Sequence, residues 1–180
     1  PPLYMAVSKT PASIDAAVER NLPILTSPST PDADTLEIVH SYYDRCADAG
    51  KSPMVDQMPF FRMVHLSDDQ QQATEEPRHA LTWMYDLNGL RRTLTGGSDI
   101  YMDLDDWRRT RTEQPPSYES LLESTAYFGT PDHIVKKIEN LRDEHGIQYF
   151  GANMSFGSME HSKVMKSMEL FAKEVMPNFD

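Results

Sequence analysis

Short apolar runs alternate with amphipathic stretches along this chain, and that alternation restricts the fold more than any other feature. Four runs, at residues 3–7, 22–25, 59–66 and 147–154, have the length and composition of strands. They are nearly continuous in apolar residues, as expected of strands covered on both faces. Stretches with helical periodicity separate them. Strands that alternate with helices indicate βαβ units, so the sequence predicts a parallel sheet.

Residues that end helices mark where the predicted helices stop and start. Gly50 and Gly146 each follow the last periodic apolar residue of a helix, a position that favours a left-handed backbone. Pro77 interrupts a helical run over residues 70–85 and predicts a kink or a break. Ser158 predicts the N-cap of the last helix. These signals place at least one helix between consecutive strands.

The length and the order of elements together indicate the fold class. With 180 residues, the chain has the size of a single domain. The order fits half of a (β/α)8 barrel, the TIM barrel, with parallel strands and surrounding helices, and a small doubly wound sheet fits it too. Residues 85–118 depart from the pattern, because they hold several Gly, Pro and Arg residues and few periodic apolar positions. They predict a long irregular insertion, either a mobile lid or a disordered segment.

The charge balance excludes some classes of partner. The chain has 28 acidic and 17 basic residues and a formal net charge of −11. Surfaces that bind nucleic acids or anionic membranes need clustered basic residues, so neither partner is expected. The absence of an 18-residue apolar run and of a signal peptide predicts a cytoplasmic location. The chain opens with Pro1-Pro2 directly before an apolar strand, which indicates a piece of a longer protein.

Residue spacing reveals no metal or catalytic cluster. The six histidines are scattered, and His65, on the third predicted strand, has no carboxylate or second histidine paired with it by spacing. A core position is therefore favoured for it over a catalytic one. Asp103, Asp105 and Asp106 could form a metal site, but a solvated acidic stretch is favoured. Cys46 is the single cysteine and is expected to be a half-buried helix thiol.

Three segments have more specific patterns. Residues 6–25 read AVSKTPASIDAAVERNLPIL, residues 128–132 read FGTPD, and residues 167–177 read SMELFAKEVMP. In this order they resemble the fifth to sixth strand, the Gly-Thr-Pro segment and the closing helix of the bacterial luciferase-like flavin-dependent monooxygenases. The resemblance covers nearly all of the chain and implies the C-terminal half of their (β/α)8 barrel, without strands one to four. Asn21 stands where that family has Gly, at a left-handed position that Asn tolerates.

The resemblance implies a flavin site at the carboxyl ends of the strands, where barrel enzymes build their sites. A flavin mononucleotide (FMN) phosphate needs N–H or O–H donors and a positive charge, and a strand-to-helix turn supplies them. Ser8, Lys9, Thr10 and Ser13 have this chemistry. In the family, the phosphate-binding Ser and Thr residues occupy the same turn. The alternative is an ordinary helix cap beside an exposed lysine.

Three further residues are candidates for the flavin environment. Trp83, on the helix after the third strand, matches a family Trp near the flavin ring, although a core aromatic is the favoured interpretation. Met154 and Phe156 follow the fourth strand and could form an apolar wall for flavin or substrate, or equally part of the core. The resemblance implies that the catalytic residues lie in the absent half.

The implied activity is that of a monooxygenase or oxidoreductase that uses reduced flavin and O2 on a small apolar organic substrate. FMN is the expected cofactor, a deazaflavin remains open, and a flavin reductase is a compatible partner. The alternative is a non-catalytic half barrel that binds flavin weakly or not at all and serves as an assembly module. Under both hypotheses the chain alone is expected to be inactive.

Half a barrel also predicts association. Four parallel strands leave two open edges and an uncovered apolar face, and both features recruit further protein. We therefore expect a homo-oligomer or a pairing with the missing N-terminal half.

Overall fold

The computed structural model describes residues 1–95, 105, 108–109 and 115–179. Strands and helices alternate as the sequence predicts, and the strands are short. The strands are β1 (Met5–Ala6), β2 (Ile24–Leu25), β3 (Phe60–Leu66), β4 (Ala126–Gly129) and β5 (Phe150–Asn153). The helices are α1 (Pro11–Arg20), α2 (Asp32–Asp48), α3 (Gln70–Glu75), α4 (Arg78–Thr95), α5 (Tyr118–Ser124), α6 (Pro131–His145) and α7 (His161–Leu170). A π-helical turn (Phe171–Val175) and a 3₁₀ turn (Met176–Asn178) close the chain.

Every strand pairing in the described part of the chain is parallel, which confirms the predicted parallel sheet. Strands β1 and β2 form one ladder, in which Met5 is opposite Ile24. Strands β4, β3 and β5 form a second ladder with β3 at its centre. The two ladders are held together by side-chain packing on the same helices. This arrangement is that of a half barrel.

Strand β4 is a fifth strand that the sequence analysis did not predict. It pairs with the C-terminal half of β3, where Val64 is opposite Tyr127, and all four of its residues are buried. Four residues are too few to show a periodic pattern, and the flanking Thr125 and Thr130 have the composition of a loop. The strand positions the start of α6 at the same edge as the other carboxyl ends.

Side chains alternate along β3 between two apolar cores. Phe60, Val64 and Leu66 belong to a first core, which packs the strands on α1, α2 and α6. Met63 points the other way, into a second core with Phe128. The second core is completed by α4 and α5, which supply Ala80, Leu81 and Leu121.

The second face of the larger ladder is therefore covered, so the prediction of an open apolar face is wrong for this ladder. Met63 and Phe128 are buried beneath α4 and α5. These two helices flank residues 85–118 and partly belong to them, since α4 continues to Thr95. The predicted irregular insertion is thus helical over its first part. Residues 96–104, 106–107 and 110–114 lie outside the described residues.

The observed helix ends test the remaining local predictions. Pro77 lies between α3 and α4, which confirms the break. Asn21, Gly50 and Gly146 have φ values of 53°, 66° and 68°, so each adopts the predicted left-handed backbone. The prediction for Ser158 is wrong, because α7 begins at His161. The Ser158 hydroxyl instead hydrogen-bonds Nδ1 of His79 at 3.2 Å.

Two expected absences concern the described residues only. Within them, no group of three His, Cys, Asp or Glu side chains could hold a metal ion. Asp105 makes an exposed ion pair with Arg108 at 3.3 Å, while Asp103 and Asp106 are outside the described ranges. No helix in the same ranges has the length and apolar character needed to cross a bilayer.

Cys46 is fully buried on α2 rather than half-buried.

Candidate functional site

The turn between β1 and α1 presents the predicted phosphate-binding residues to solvent. Ser8, Lys9 and Thr10 are exposed, and the Ser8 and Thr10 hydroxyl oxygens lie 3.5 Å apart. The Ser13 hydroxyl donates to the Thr10 carbonyl at 2.7 Å. Pro11 occupies the first helical position. Pro11 has no N–H group, and the Ser13 N–H donates to the Thr10 carbonyl at 3.1 Å, so neither residue offers a free backbone donor to a ligand.

A cleft of about 430 Å³ opens beside this turn, and we call it the rim cleft. Ser8 and Lys9 line it at the end of β1, while Ser29 and Thr30 line it after β2. Helix α5 closes the opposite side. The rim cleft thus lies where the carboxyl ends of two parallel strands meet, as expected for a site in this fold. Its other lining residues include Asp34, Tyr85, Ser120 and Ser124.

Lys9 already has a carboxylate partner. Its Nζ lies 2.9 Å from Oδ1 of Asp34, in the first turn of α2, and its side chain is 64% exposed. The hydrogen bond with Asp34 raises the pKa of Lys9 above its usual value. A phosphate that binds Lys9 must therefore compete with Asp34.

Trp83 does not line the rim cleft. It is half-buried on α4, and Tyr85, two residues further along, lines the cleft instead. Residues two positions apart on a helix point to nearly opposite sides, so α4 cannot present both. The Tyr85 hydroxyl donates to the Ser29 carbonyl at 3.1 Å and ties α4 to the loop after β2.

Met154 and Phe156 are core residues in this structure. Met154 belongs to the first core and Phe156 to the second. The Phe156 ring stacks on Phe128, with 5.6 Å between centroids and 7° between planes. Both side chains are buried, so the structure gives them the packing role and no face toward the rim cleft.

His65 has a carboxylate partner that sequence spacing did not reveal. Its Nε2 lies 3.0 Å from Oε2 of Glu76, and its side chain is 1% exposed. Since the carboxylate accepts, Nε2 donates, and the buried Nδ1 has no partner among the described residues. Lys163 lies 3.6 Å from the other Glu76 oxygen. The break at Pro77 ends α3 beside β3, which is what brings Glu76 to His65.

Burial lowers the pKa of His65, and the hydrogen bond with Glu76 only partly offsets this effect. The unfolded chain therefore takes up the His65 proton before the folded one does, once the pH falls below about 6.5. We expect the free energy of unfolding to decrease as the pH falls from 7 toward 5. Chemical denaturation across this range should show a shallower decrease for His65→Gln than for the wild type. Parallel curves for the two proteins would contradict the expectation; His133, whose pKa is also lowered, contributes equally to both.

The fold and the rim cleft together define a parallel half barrel with a donor-rich turn at its carboxyl edge. The model of the luciferase-like monooxygenase family matches residues 1–148. This chain therefore belongs to the luciferase-like monooxygenase family. No curated protein matches it as a relative.

Solved structures share the fold at low sequence identity. Monooxygenase RslO1 from Streptomyces bottropensis is 23% identical with a TM-score of 0.68, over 100% of this chain and 49% of its own. The oxygenating constituent of 3,6-diketocamphane monooxygenase from Pseudomonas putida, in complex with FMN, is 20% identical with a TM-score of 0.68, over 98% and 48%. The coenzyme F420-dependent tetrahydromethanopterin reductase of Methanopyrus kandleri is 21% identical with a TM-score of 0.61, over 99% and 51%.

The chain thus spans about half the length of these solved relatives. Their cofactors, FMN in one and F420 in another, are the two classes that the sequence analysis left open.

Proposed function

We propose that this chain is the C-terminal part of a flavin-dependent monooxygenase and that its rim cleft holds the phosphate of FMN or of a deazaflavin. The observation that carries the proposal is the position of Ser8 and Lys9 at the end of β1, where they line the rim cleft. The Thr10 and Ser13 side chains do not line it, but the Thr10 hydroxyl oxygen lies 3.5 Å from that of Ser8. Membership of the luciferase-like family supports the same reaction class. The substrate is a small apolar organic molecule, which reduced flavin and O2 oxygenate.

The residues of this chain bind and orient rather than react. The Ser8 and Thr10 hydroxyls donate to phosphate oxygens, and Lys9 contributes charge. Bound reduced flavin supplies the chemistry, since it can activate O2. Trp83 has no place at the rim cleft in this proposal, and the residues that act on oxygen belong to the half that this chain lacks. A flavin reductase is the partner that would supply reduced flavin.

The second candidate is a half barrel that serves only in assembly. The ion pair between Lys9 and Asp34 favours it, because it neutralises Lys9, the one basic side chain among the described residues that line the rim cleft. Under this alternative, flavin binds weakly or not at all, and the role of the chain is to complete a larger structure. Either way, the chain alone has no activity.

Flavin titration separates these candidates. We expect Lys9→Ala to weaken FMN binding about tenfold and Thr10→Ala to weaken it several-fold, because each removes a donor to the phosphate. Asp34→Asn should strengthen binding, since it frees Lys9 and removes a repelling charge. Quenching of FMN fluorescence measures all three affinities, and Lys166→Ala on α7 is the control. If FMN fails to bind, or Lys9→Ala and Thr10→Ala bind like the wild type, the phosphate site is rejected.

We also propose that the chain associates with a second copy or with the missing half. The outer edges of β1, β2, β4 and β5 have no strand beside them in the described part of the chain. The side chains of Met165 and Met168 on α7 are 43% and 45% exposed and lie on the outside of the fold. Size-exclusion chromatography with light scattering should give a mass above that of one chain. A well-folded monomer of 20.5 kDa would contradict this proposal.

A further inference from the structure

A second cleft lies on the outside of the half barrel, between α2 and α6. Its volume is about 440 Å³, and we call it the helix groove. It shares no lining residue with the rim cleft. Helix α2 contributes Asp32, Ala33 and Leu36, and β4 contributes Tyr127 at the base. Helix α6 contributes a polar row of His133, Lys136, Lys137, Asn140 and His145, together with Leu141.

We propose that the helix groove binds a phosphate monoester with an apolar or aromatic group. Two lysines line it on one turn of α6, and a phosphate monoester carries close to the two negative charges that they would balance. The chain as a whole has a net charge of −11. Two lysines together in one groove are therefore unusual for a chain of this acidic composition. The proposal does not depend on the flavin site.

Among the described residues that line the helix groove, Asp32 is the one acidic side chain, and it already pairs with other groups. Asp32 accepts from the Arg62 guanidinium through Oδ1 and from the Tyr127 hydroxyl, at 3.2 Å, through Oδ2. The Arg62 side chain is 0% exposed, so its charge depends on Asp32. Neither Lys136 nor Lys137 makes an ion pair within the described ranges. The acidic residues of α6 do not line the helix groove.

Lys137 is held in position by a carbonyl and an aromatic ring, and no carboxylate within the described ranges forms an ion pair with it. Its Nζ donates to the Ala126 carbonyl at 3.2 Å and lies 4.2 Å from the centroid of the Tyr127 ring. An ammonium group has three donors, so two remain for a ligand. Burial and the nearby Arg62 lower the pKa of Lys137, although Asp32 opposes this effect. A bound phosphate would relieve that unfavourable environment.

Arg62, which pairs with Asp32 but does not itself line the helix groove, has one buried donor without a partner. Nη2 of Arg62 has no partner among the described residues, while Nη1 donates to the Phe61 carbonyl at 2.7 Å. Its guanidinium carbon lies 3.9 Å from the centroid of the Phe60 ring. Buried donors without partners are rare in folded proteins.

The apolar part of the helix groove sets the shape of the ligand. Leu36 lies one turn after Asp32 on α2, and Leu141 lies one turn after Lys137 on α6. Both helices follow parallel strands and run in the same direction, so the two leucines lie on the same side of the lysines. A phosphate at the lysines would extend its organic group toward Leu36 and Leu141, and a volume of about 440 Å³ accommodates a group of aromatic or nucleoside size.

Calorimetric titration with phenyl phosphate and with inorganic phosphate tests the proposal on the whole chain. We expect phenyl phosphate to bind, and to bind more tightly than inorganic phosphate. Lys136→Gln and Lys137→Gln should each weaken it about tenfold, because each removes a charge-assisted hydrogen bond. Lys137 also supports the Ala126 carbonyl, so its variant needs a check of folding by circular dichroism. Lys136 is exposed and makes no such bond, which keeps the test decisive.

Two controls locate the binding. Lys166→Gln on α7 should bind like the wild type, and so should Lys9→Ala in the rim cleft. If Lys9→Ala abolishes binding and Lys136→Gln does not, the helix groove is rejected as the site, whatever the result for FMN. If phenyl phosphate does not bind, the proposal is overturned. This holds even if a poly-glutamate peptide binds, because that result would identify an acidic protein as the partner instead.

Discussion

The Asp32→Ala variant is expected to lose about 3 kcal/mol of its free energy of unfolding. The reason is that Arg62, on the central strand β3, is fully buried and has Asp32 as its carboxylate partner. Removal of one member of a buried pair leaves the other charge uncompensated, which costs far more than the pair contributes. The Tyr127 hydroxyl loses its acceptor in the same variant. Urea denaturation followed by circular dichroism measures the loss.

Asp34→Ala is the matched control, since Asp34 lies in the same first turn of α2. Its partner Lys9 is largely exposed, so this variant should lose much less stability. The double variant Asp32→Ala with Arg62→Met should recover part of the loss, because it removes the buried charge together with its partner. Equal stability of Asp32→Ala and Asp34→Ala would show that Arg62 does not need Asp32.

Gly157→Ala is expected to lose about 2–4 kcal/mol, from two separate causes. Gly157 has a φ of 55°, a left-handed conformation that costs alanine energy. A Cβ atom at this position would also lie 2.2 Å from the Ala80 carbonyl oxygen on α4. That atom belongs to the backbone and cannot rotate away. The turn after β5 or the whole of α4 must shift, which disturbs the second core around Phe156.

Gly50→Ala separates the two causes. Gly50 has a φ of 66° and no atom within 4 Å of the position that a Cβ would take. This variant should therefore lose only about 1 kcal/mol, the cost of the left-handed backbone alone. Thermal unfolding of both variants gives the difference, which is the cost of the contact with Ala80. If the two variants are equally stable, the close approach of Gly157 to α4 is absent in solution.

Periodic apolar patterns were sufficient to predict the parallel strands and most of the helices, because a helix that buries one face needs apolar residues at helical spacing. Local backbone rules predicted the break at Pro77 and the left-handed Asn21 and Gly146. The N-cap at Ser158 was wrong because a hydroxyl can satisfy other partners, here His79. Strand β4 was missed because pairing with β3, a tertiary contact, stabilises it more than its own composition does.

The candidate site divides in the same way. A single strand-to-helix turn holds Ser8 and Lys9, so the sequence could place these two residues side by side, and their binding of phosphate stays a prediction. Asp34 and Tyr85 could not be placed beside them, because they reach the rim cleft from other helices. The contact between His65 and Glu76 depends on the angle between β3 and α3, and residue spacing in the sequence does not determine that angle. Contacts between elements that are distant in sequence are set by the packing of the whole fold.

The division of the strands into two ladders has a consequence for amide exchange. The ladder of β1 and β2 is two residues long, and the Met5 and Val7 N–H groups donate to Pro23 and Leu25 carbonyls at 2.9 and 3.0 Å. A short ladder opens by local fluctuation, whereas the amides of β3 exchange only through larger unfolding events. The turn that begins at Ser8 thus follows directly after the less protected ladder. If a flavin phosphate binds to that turn, deuterium uptake should slow first at the amides of Met5 and Val7.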